Sequence, residues 1–220
     1  MDAFHERLAQ VALRAASDLG FALAGGYAVQ AHGFLTRPSE DVDLFTSAER
    51  TDFRDGVNTI KSAYEEQGIA VRVDVCSDHF ARLWVTDTHS GQSGKVELAA
   101  DIRSKAPVTM SIGPVVHVDD VAGGKMEALF TRAEARDFID IDAIVTSARF
   151  TRAKLQEFAA SRDAGFDLRV LADMLAVIDI YPDAEFSGYG LGAERIKQMR
   201  ERFAEWRTEL LHELGPTSRQ

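Results

Sequence analysis

Residues 24–45 read Ala-Gly-Gly-Tyr-Ala-Val-Gln-Ala-His-Gly-Phe-Leu-Thr-Arg-Pro-Ser-Glu-Asp-Val-Asp-Leu-Phe. The stretch opens with a glycine pair, Gly25-Gly26, directly after the apolar run Phe21-Ala22-Leu23-Ala24, and closes with two aspartates inside a second apolar run. Residues two apart in a β-strand share a face, so the spacing predicts a strand in which Val42 and Leu44 enter the core while Asp41 and Asp43 stand together on the other side. Their Cα atoms are then about 6 to 7 Å apart, and carboxylates that close repel unless a positive charge lies between them. A hard divalent cation meets that need, and Mg²⁺ typically combines one or two protein carboxylates with substrate phosphates. The glycine pair offers backbone that can approach a phosphate closely, ahead of a helical turn or two over Tyr27–Phe34. A solvated strand edge beside an ordinary turn is the alternative these residues leave open.

Working outward, Phe4, Leu8, Val11, Ala15 and Leu19 recur at helical spacing, which predicts a packing helix over residues 2–19 that ends at Gly20. After the aspartates, Phe53, Val57, Ile60 and Tyr64 predict a helix over Ser47–Gln67, with Thr46 and Glu49 as its capping box. Alternating segments follow at Ile69–Val75, Phe80–Thr86 and Lys95–Asp101, the last two reading as a hairpin around Thr88–Gly94. In the last strand residues 97, 99 and 101 share a face, so Glu97 and Asp101 are both candidates for a third carboxylate. Val115–Val118 reads as a short strand, and Asp119 or Asp120 as the cap of a helix that carries Lys125 near its apolar side. A lysine stem can lie along such a surface while its ammonium reaches a phosphate. Residues 134–147, 151–162, 166–180 and 192–214 read as further helices.

The ordered set resembles the nucleotidyltransferase superfamily of the polymerase-β type: an apolar residue, Gly-Gly, an interval, a DxD on a strand, and a later strand carboxylate. More narrowly, Arg37-Pro38-Ser39-Glu40-Asp41-Val42-Asp43-Leu44-Phe45 is similar to the AbiEii/AbiGii-type nucleotidyltransferase toxins, which include the MenT group. Lys125-Met126-Glu127-Ala128-Leu129 followed by Arg136-Asp137-Phe138-Ile139-Asp140 is similar to the lysine and aspartate motifs of those toxins. The resemblance spans about residues 20–147. It implies an α/β (α+β) fold with a mixed sheet: a nucleotidyltransferase domain over 1–118 and a helical lobe over 119–220 that completes the active-site cleft. It also implies residue roles. Asp41, Asp43 and Glu97 would hold Mg²⁺ or Mn²⁺, with Glu97 preferred because Val96-Glu97-Leu98 fits the superfamily's apolar-acid-apolar pattern, although aspartate is more usual there. Gly25, Gly26 and Ser39 would cradle the triphosphate, Lys125 would neutralise it, and Asp137 would orient Lys125 or the nucleotide. The implied reaction is transfer of NMP from an NTP to an RNA acceptor, the 3′ end of tRNA, to block translation, with a cognate antitoxin as partner. A small-molecule or protein hydroxyl as acceptor, or a catalytically inactive binding module, are the other readings.

Bulk properties narrow the classes. The chain has 220 residues, is 45% hydrophobic, and carries a formal net charge of −10, which argues against whole-surface nucleic-acid binding but leaves room for a local basic cleft. Arg37, Lys95, Arg103, Lys105, Lys125, Arg132 and Arg136 lie in or beside the motifs and are its candidates. No run is long enough for a membrane span and the first residues do not read as a signal peptide, so a cytoplasmic protein is expected. The single cysteine, Cys76, excludes an internal disulfide and is expected as a small buried hydrophobe. Six dispersed histidines show no metal-ligand spacing, and His32 is expected to be structural.

Overall fold

A computed structural model describes residues 1–50 and 52–215. It divides into two compact units, Met1–Val121 and Ala122–Gln220.

The first unit is built on a mixed sheet. In chain order its elements are α1 (Ala3–Ala15), β1 (Ala22–Leu23), α2 (Gly25–Ala31), β2 (Asp41–Ser47), α3 (Phe53–Glu66), β3 (Ile69–Cys76), β4 (Phe80–Asp87), β5 (Ser93–Asp101), β6 (Val108–Met110) and β7 (Gly113–Val115). Among the described residues the sheet has seven strands in the order β3-β4-β5-β2-β1-β7-β6. β2 lies parallel to β5 and antiparallel to β1, so the aspartate strand is central, flanked by the strand that leads into the glycine pair and the strand that carries Glu97. The alternation read from the sequence is realised: Val42, Leu44, Leu83, Val85, Val96 and Leu98 are fully buried on one face. There they join Leu8 and Ala12 of α1 and Val57, Ile60 and Tyr64 of α3 in one cluster. Burial of each large side chain is worth about 1.5 to 3 kcal/mol, which makes this face the one the sheet cannot turn to water. The aspartates are thereby fixed on the other.

Helix α1 is capped by Asp2, whose carboxylate accepts from the Phe4 and His5 amides. The Tyr64 hydroxyl crosses the core to donate to the Leu8 carbonyl at 3.0 Å.

Four local expectations are corrected. The helix expected from Ser47 starts at Phe53, because β2 runs on to Ser47 in register with Asp101 of β5; Thr51, within that span, lies outside the described residues. Thr46 is no cap: it sits in the strand and its hydroxyl donates to the Leu19 carbonyl. Cys76 is exposed, since it lies at the end of an edge strand that is exposed at every residue from Arg72 on. The strand expected at 115–118 ends at Val115: it is β7, which forms a hairpin with β6, and α4 already begins at Val118.

Helix α4 (Val118–Thr131) begins in the first unit and continues into the second, which is helical: α5 (Ala135–Thr146), α6 (Arg152–Arg162), α7 (Leu168–Ala176), α8 (Asp183–Ser187) and α9 (Ala193–Leu214). Ile196, Met199, Phe203, Trp206 and Leu210 form the buried stripe of α9 as their spacing predicts. Phe138 packs edge-on against Phe203, and Arg202 reaches the buried Asp142 carboxylate through two hydrogen bonds of 2.7 and 2.9 Å.

Candidate active site

The parallel pairing of β2 with β5 sets Asp43 opposite Glu97 and Asp41 opposite Lys95. One oxygen each from Asp41, Asp43 and Glu97 can lie within 4.8 Å of the others. The cluster comes from two periodicities of two brought into register, a DxD on one strand and a KxE on its neighbour. Asp101 lies opposite Ser47, four residues beyond Glu97, and its Oδ1 accepts from the Ile102 amide. The register thus brings Glu97, and not Asp101, to the two aspartates.

Three carboxylates this close need positive charge, and two cations supply part of it. The Lys95 ammonium lies 2.9 Å from Asp41 Oδ2 and 3.2 Å from Glu97 Oε1. Arg82 of β4, directly opposite Glu97, donates from Nε to Glu97 Oε1 at 2.8 Å. Burial alone would lower the Lys95 pKa, but Asp41 and Glu97 together outweigh it and the net shift is upward. Lys95 was legible only as one of several nearby cations; its place among the carboxylates follows from strand register, which sequence spacing does not give. Arg82 was not singled out at all.

The glycine pair is explained by what lies against it. Gly25 has φ 57°, and a Cβ there would fall 1.7 Å from Asp43 Oδ2. A Cβ on Gly26 would meet Ser39 Oγ at 2.9 Å and Arg37 Nη2 at 3.1 Å. The Ala24 amide donates to the Asp43 carbonyl at 2.8 Å, which ties the turn to β2. Ser39 Oγ is 3.5 Å from Asp41 Oδ1, and Arg37 is buried beside it, donating from Nη1 to the Pro38 carbonyl. Tyr27 braces the loop, its hydroxyl 2.6 Å from His5 Nδ1 and 3.4 Å from the Ser39 carbonyl. Burial first, then the Asp2 charge, pushes the Tyr27 phenol well up, so it remains a protonated donor. Gly25, Gly26, Ser39, Asp41, Asp43 and Glu97 therefore share one corner of the first unit. His32 is structural as expected, with Nε2 2.8 Å from the Val116 carbonyl.

This packing makes a prediction. Gly25→Ala places a methyl group inside the space of the Asp43 carboxylate and forces a left-handed conformation that costs a non-glycine residue about 1 to 2 kcal/mol. The expected outcome is a protein destabilised by at least that amount in thermal unfolding, with the activity of this site nearly lost because Asp43 must move. Near wild-type activity in this variant would separate Asp43 from the chemistry.

Lys125 lies in the second unit, 12% exposed at its side chain, with its ammonium 2.9 Å from the buried Asp140 Oδ2. The expectation that Asp137 stands beside Lys125 is corrected. Asp137, fully buried, accepts two hydrogen bonds of 2.9 Å from Arg132 and a third from the Glu134 amide in the capping box of α5. The three-residue offset from Asp137 to Asp140 is nearly one helical turn. Spacing therefore left either carboxylate available to Lys125, and the cap decided between them. Arg136 pairs with Glu134 at 2.9 Å, and Lys105 pairs with Asp119.

The family model described as "Nucleotidyl transferase AbiEii toxin, Type IV TA system" matches residues 7–216. Among solved structures, a Helicobacter pylori protein provisionally named a nucleotidyltransferase aligns at 20% identity with a TM-score of 0.57, covering 97% of each chain. JHP933 from Helicobacter pylori aligns at 19% identity and TM-score 0.55, over 96% of this chain and 93% of that one. MenT4, a nucleotidyltransferase toxin of Mycobacterium tuberculosis, aligns at 16% identity and TM-score 0.56, over 92% and 82%. At these identities the likeness is one of fold. No curated protein matches the chain at a significant level.

Proposed function

The chain belongs to the AbiEii nucleotidyl transferase toxin family of type IV toxin–antitoxin systems, and from that premise we propose that it transfers NMP from an NTP to the 3′ end of an RNA, tRNA in the first place, under control of a cognate antitoxin. The observation that carries the reading is the Asp41–Asp43–Glu97 cluster beside a glycine turn with no room for side chains. The donor set is all hard oxygen, which suits Mg²⁺ or Mn²⁺. When bound, such an ion neutralises the α-phosphate and lowers the pKa of the attacking hydroxyl.

The protein's own work is positioning and charge compensation, as in phosphoryl-type transfer generally. The acceptor hydroxyl oxygen attacks the α-phosphorus and gives up its proton to water, the bond from the α-phosphorus to the α,β-bridging oxygen breaks, and pyrophosphate leaves. Asp41, Asp43 and Glu97 would hold the ion, and Lys95, adjacent to two of them, limits their mutual repulsion. Gly25, Gly26 and Ser39 receive the triphosphate, with Arg37 behind them. For Lys125, held by Asp140, the family resemblance implies compensation of phosphate charge, while Asp137 is committed to Arg132 and the start of α5. The domain assignment that goes with this is catalysis in 1–118 and a helical lobe in 119–220.

Incubation with total RNA and each α-labelled NTP in turn tests the reading. Label on RNA, dependent on Mg²⁺ and on Asp43, is expected. A net charge of −10 favours a second reading, in which the acceptor is a small-molecule or protein hydroxyl; label appearing there and not on RNA would establish it.

The third carboxylate has its own test. Glu97→Gln removes a ligand charge while keeping hydrogen-bonding oxygen for Lys95 and Arg82, so transfer is expected to fall steeply with little change in thermal stability. Asp101→Asn is expected to cost less than the roughly 10- to 100-fold of a supporting residue. The reverse ranking would move the role to Asp101.

A further inference from the structure

Gly25, Gly26 and Ser39 border the acidic cluster on the β1 side of β2, whereas Glu97 borders it on the β5 side. The sheet face continues in that second direction. Opposite Lys95 on β4 is Trp84, opposite Glu97 is Arg82, and beyond them on β3 come Arg72, opposite Trp84, and Val75, opposite Arg82. Residues 80, 82 and 84 of β4 thus share the face of Asp41 and Asp43, while Ala81, Leu83 and Val85 fill the core. Large apolar surface is open there: Trp84 is 42% exposed and Val75 42%. Guanidinium groups attend the rings, Arg72 6.0 Å from the Trp84 centroid and Arg82 5.6 Å from that of Phe80. Arg72 is weakly held, its exposed side chain paired only loosely with Asp74 at 3.3 Å, a contact of the kind that contributes little. Arg82 and Lys95 are already paired with carboxylates of the acidic cluster, which leaves Arg72, with its exposed side chain, as the cation this face offers to a phosphate.

We propose that this face of β3–β5 receives the single-stranded 3′ end of the RNA acceptor, a base stacking on Trp84 while Arg72 takes the neighbouring phosphate. The proposal rests on the RNA-acceptor reading above. Aromatic rings among arginines are how single strands are held without base-specific hydrogen bonds. With strands about 4.8 Å apart, the Trp84 backbone stands about 10 Å from that of Asp41, some three stacked nucleotides at about 3.4 Å each. The occupant is the acceptor and not the NTP, because the triphosphate cradle lies across β2 from this surface.

The test titrates a short fluorescent single-stranded RNA with a free 3′-hydroxyl, and a blunt duplex of the same sequence, into the full chain with Mg²⁺. Trp84→Ala should raise the Kd for the single strand roughly 5- to 150-fold, the range for loss of one base-aromatic stack. Trp84→Phe should restore most of it, and binding of the duplex should respond little. Arg72→Ala should weaken binding and reduce the salt slope by about one. Affinity for a fluorescent NTP analogue should hold in both variants. A Trp84→Ala protein that binds and labels the single strand as wild type does would overturn the platform and leave the RNA-acceptor reading standing. Parallel loss of NTP affinity would overturn it too, by making the ring a nucleotide-base contact. A wild-type chain that labels only a protein or small molecule and binds no RNA would remove the RNA-acceptor reading, and the platform with it.

Discussion

Asp43→Ala is expected to abolish nucleotide transfer, by about 10³-fold or more, and to fold normally. A metal's polarisation of a phosphoryl oxygen is worth several kcal/mol, and about 1.4 kcal/mol is a factor of ten. Asp43 is the central member of the acidic group, opposite Glu97 in register and against the Gly25 backbone, so no neighbour can take its place. Asp41→Ala should be as inactive. Its stability effect is buffered because the Lys95 ammonium keeps Glu97 at 3.2 Å, and removal of one of three clustered carboxylates relieves repulsion. Thermal unfolding and α-labelled NTP transfer with Mg²⁺, run on both variants, decide the matter. Near wild-type transfer in either one would show that the cluster does not hold the catalytic ion.

Lys125→Ala is expected to lose about 30- to several-thousand-fold in transfer, the roughly 2 to 5 kcal/mol that follows from leaving a partly desolvated charge without its partner. Its stability should fall as well. Asp140, whose side chain is fully buried, has the ammonium at 2.9 Å, and breaking a buried pair from one side typically costs about 3 to 5 kcal/mol. Two causes of inactivity are thus mixed in the single variant, and the double variant Lys125→Ala with Asp140→Ala separates them. Removing both charges leaves no carboxylate without its cation, so the melting temperature should largely recover while transfer does not. Recovery of transfer together with stability would make Lys125 a structural residue and withdraw it from the triphosphate.

The elements with strong periodicity were legible before any coordinates. Val42 and Leu44 alternating with Asp41 and Asp43, and the apolar stripe of α9, each dictate one orientation relative to a core, and both were realised. The helix expected at Ser47 failed because an apolar pattern of three and four locates a helix body, not its first residue, and strand pairing with β5 claimed the segment first. Cys76 failed because alternation predicts burial only where something packs on one face, and the edge strand β3 is exposed at every residue from Arg72 to Cys76.

For the site, the sequence by itself determined the chemistry: a glycine pair, two carboxylates on one strand face, and a third candidate carboxylate further on. Those are properties of composition and local period, which any fold containing the strands would preserve. Tertiary structure alone decided which partners meet. The parallel register of β2 on β5 selected Glu97 over Asp101 and inserted Lys95 between carboxylates. The capping box of α5 committed Asp137 to Arg132 and left Asp140 for Lys125. The order β3-β4-β5-β2 carried Arg82, Trp84 and Arg72 up to the same face. Strand register and helix caps are long-range or competitive choices, made where burial and hydrogen bonding of the whole chain are best satisfied together, and no window of sequence contains that comparison.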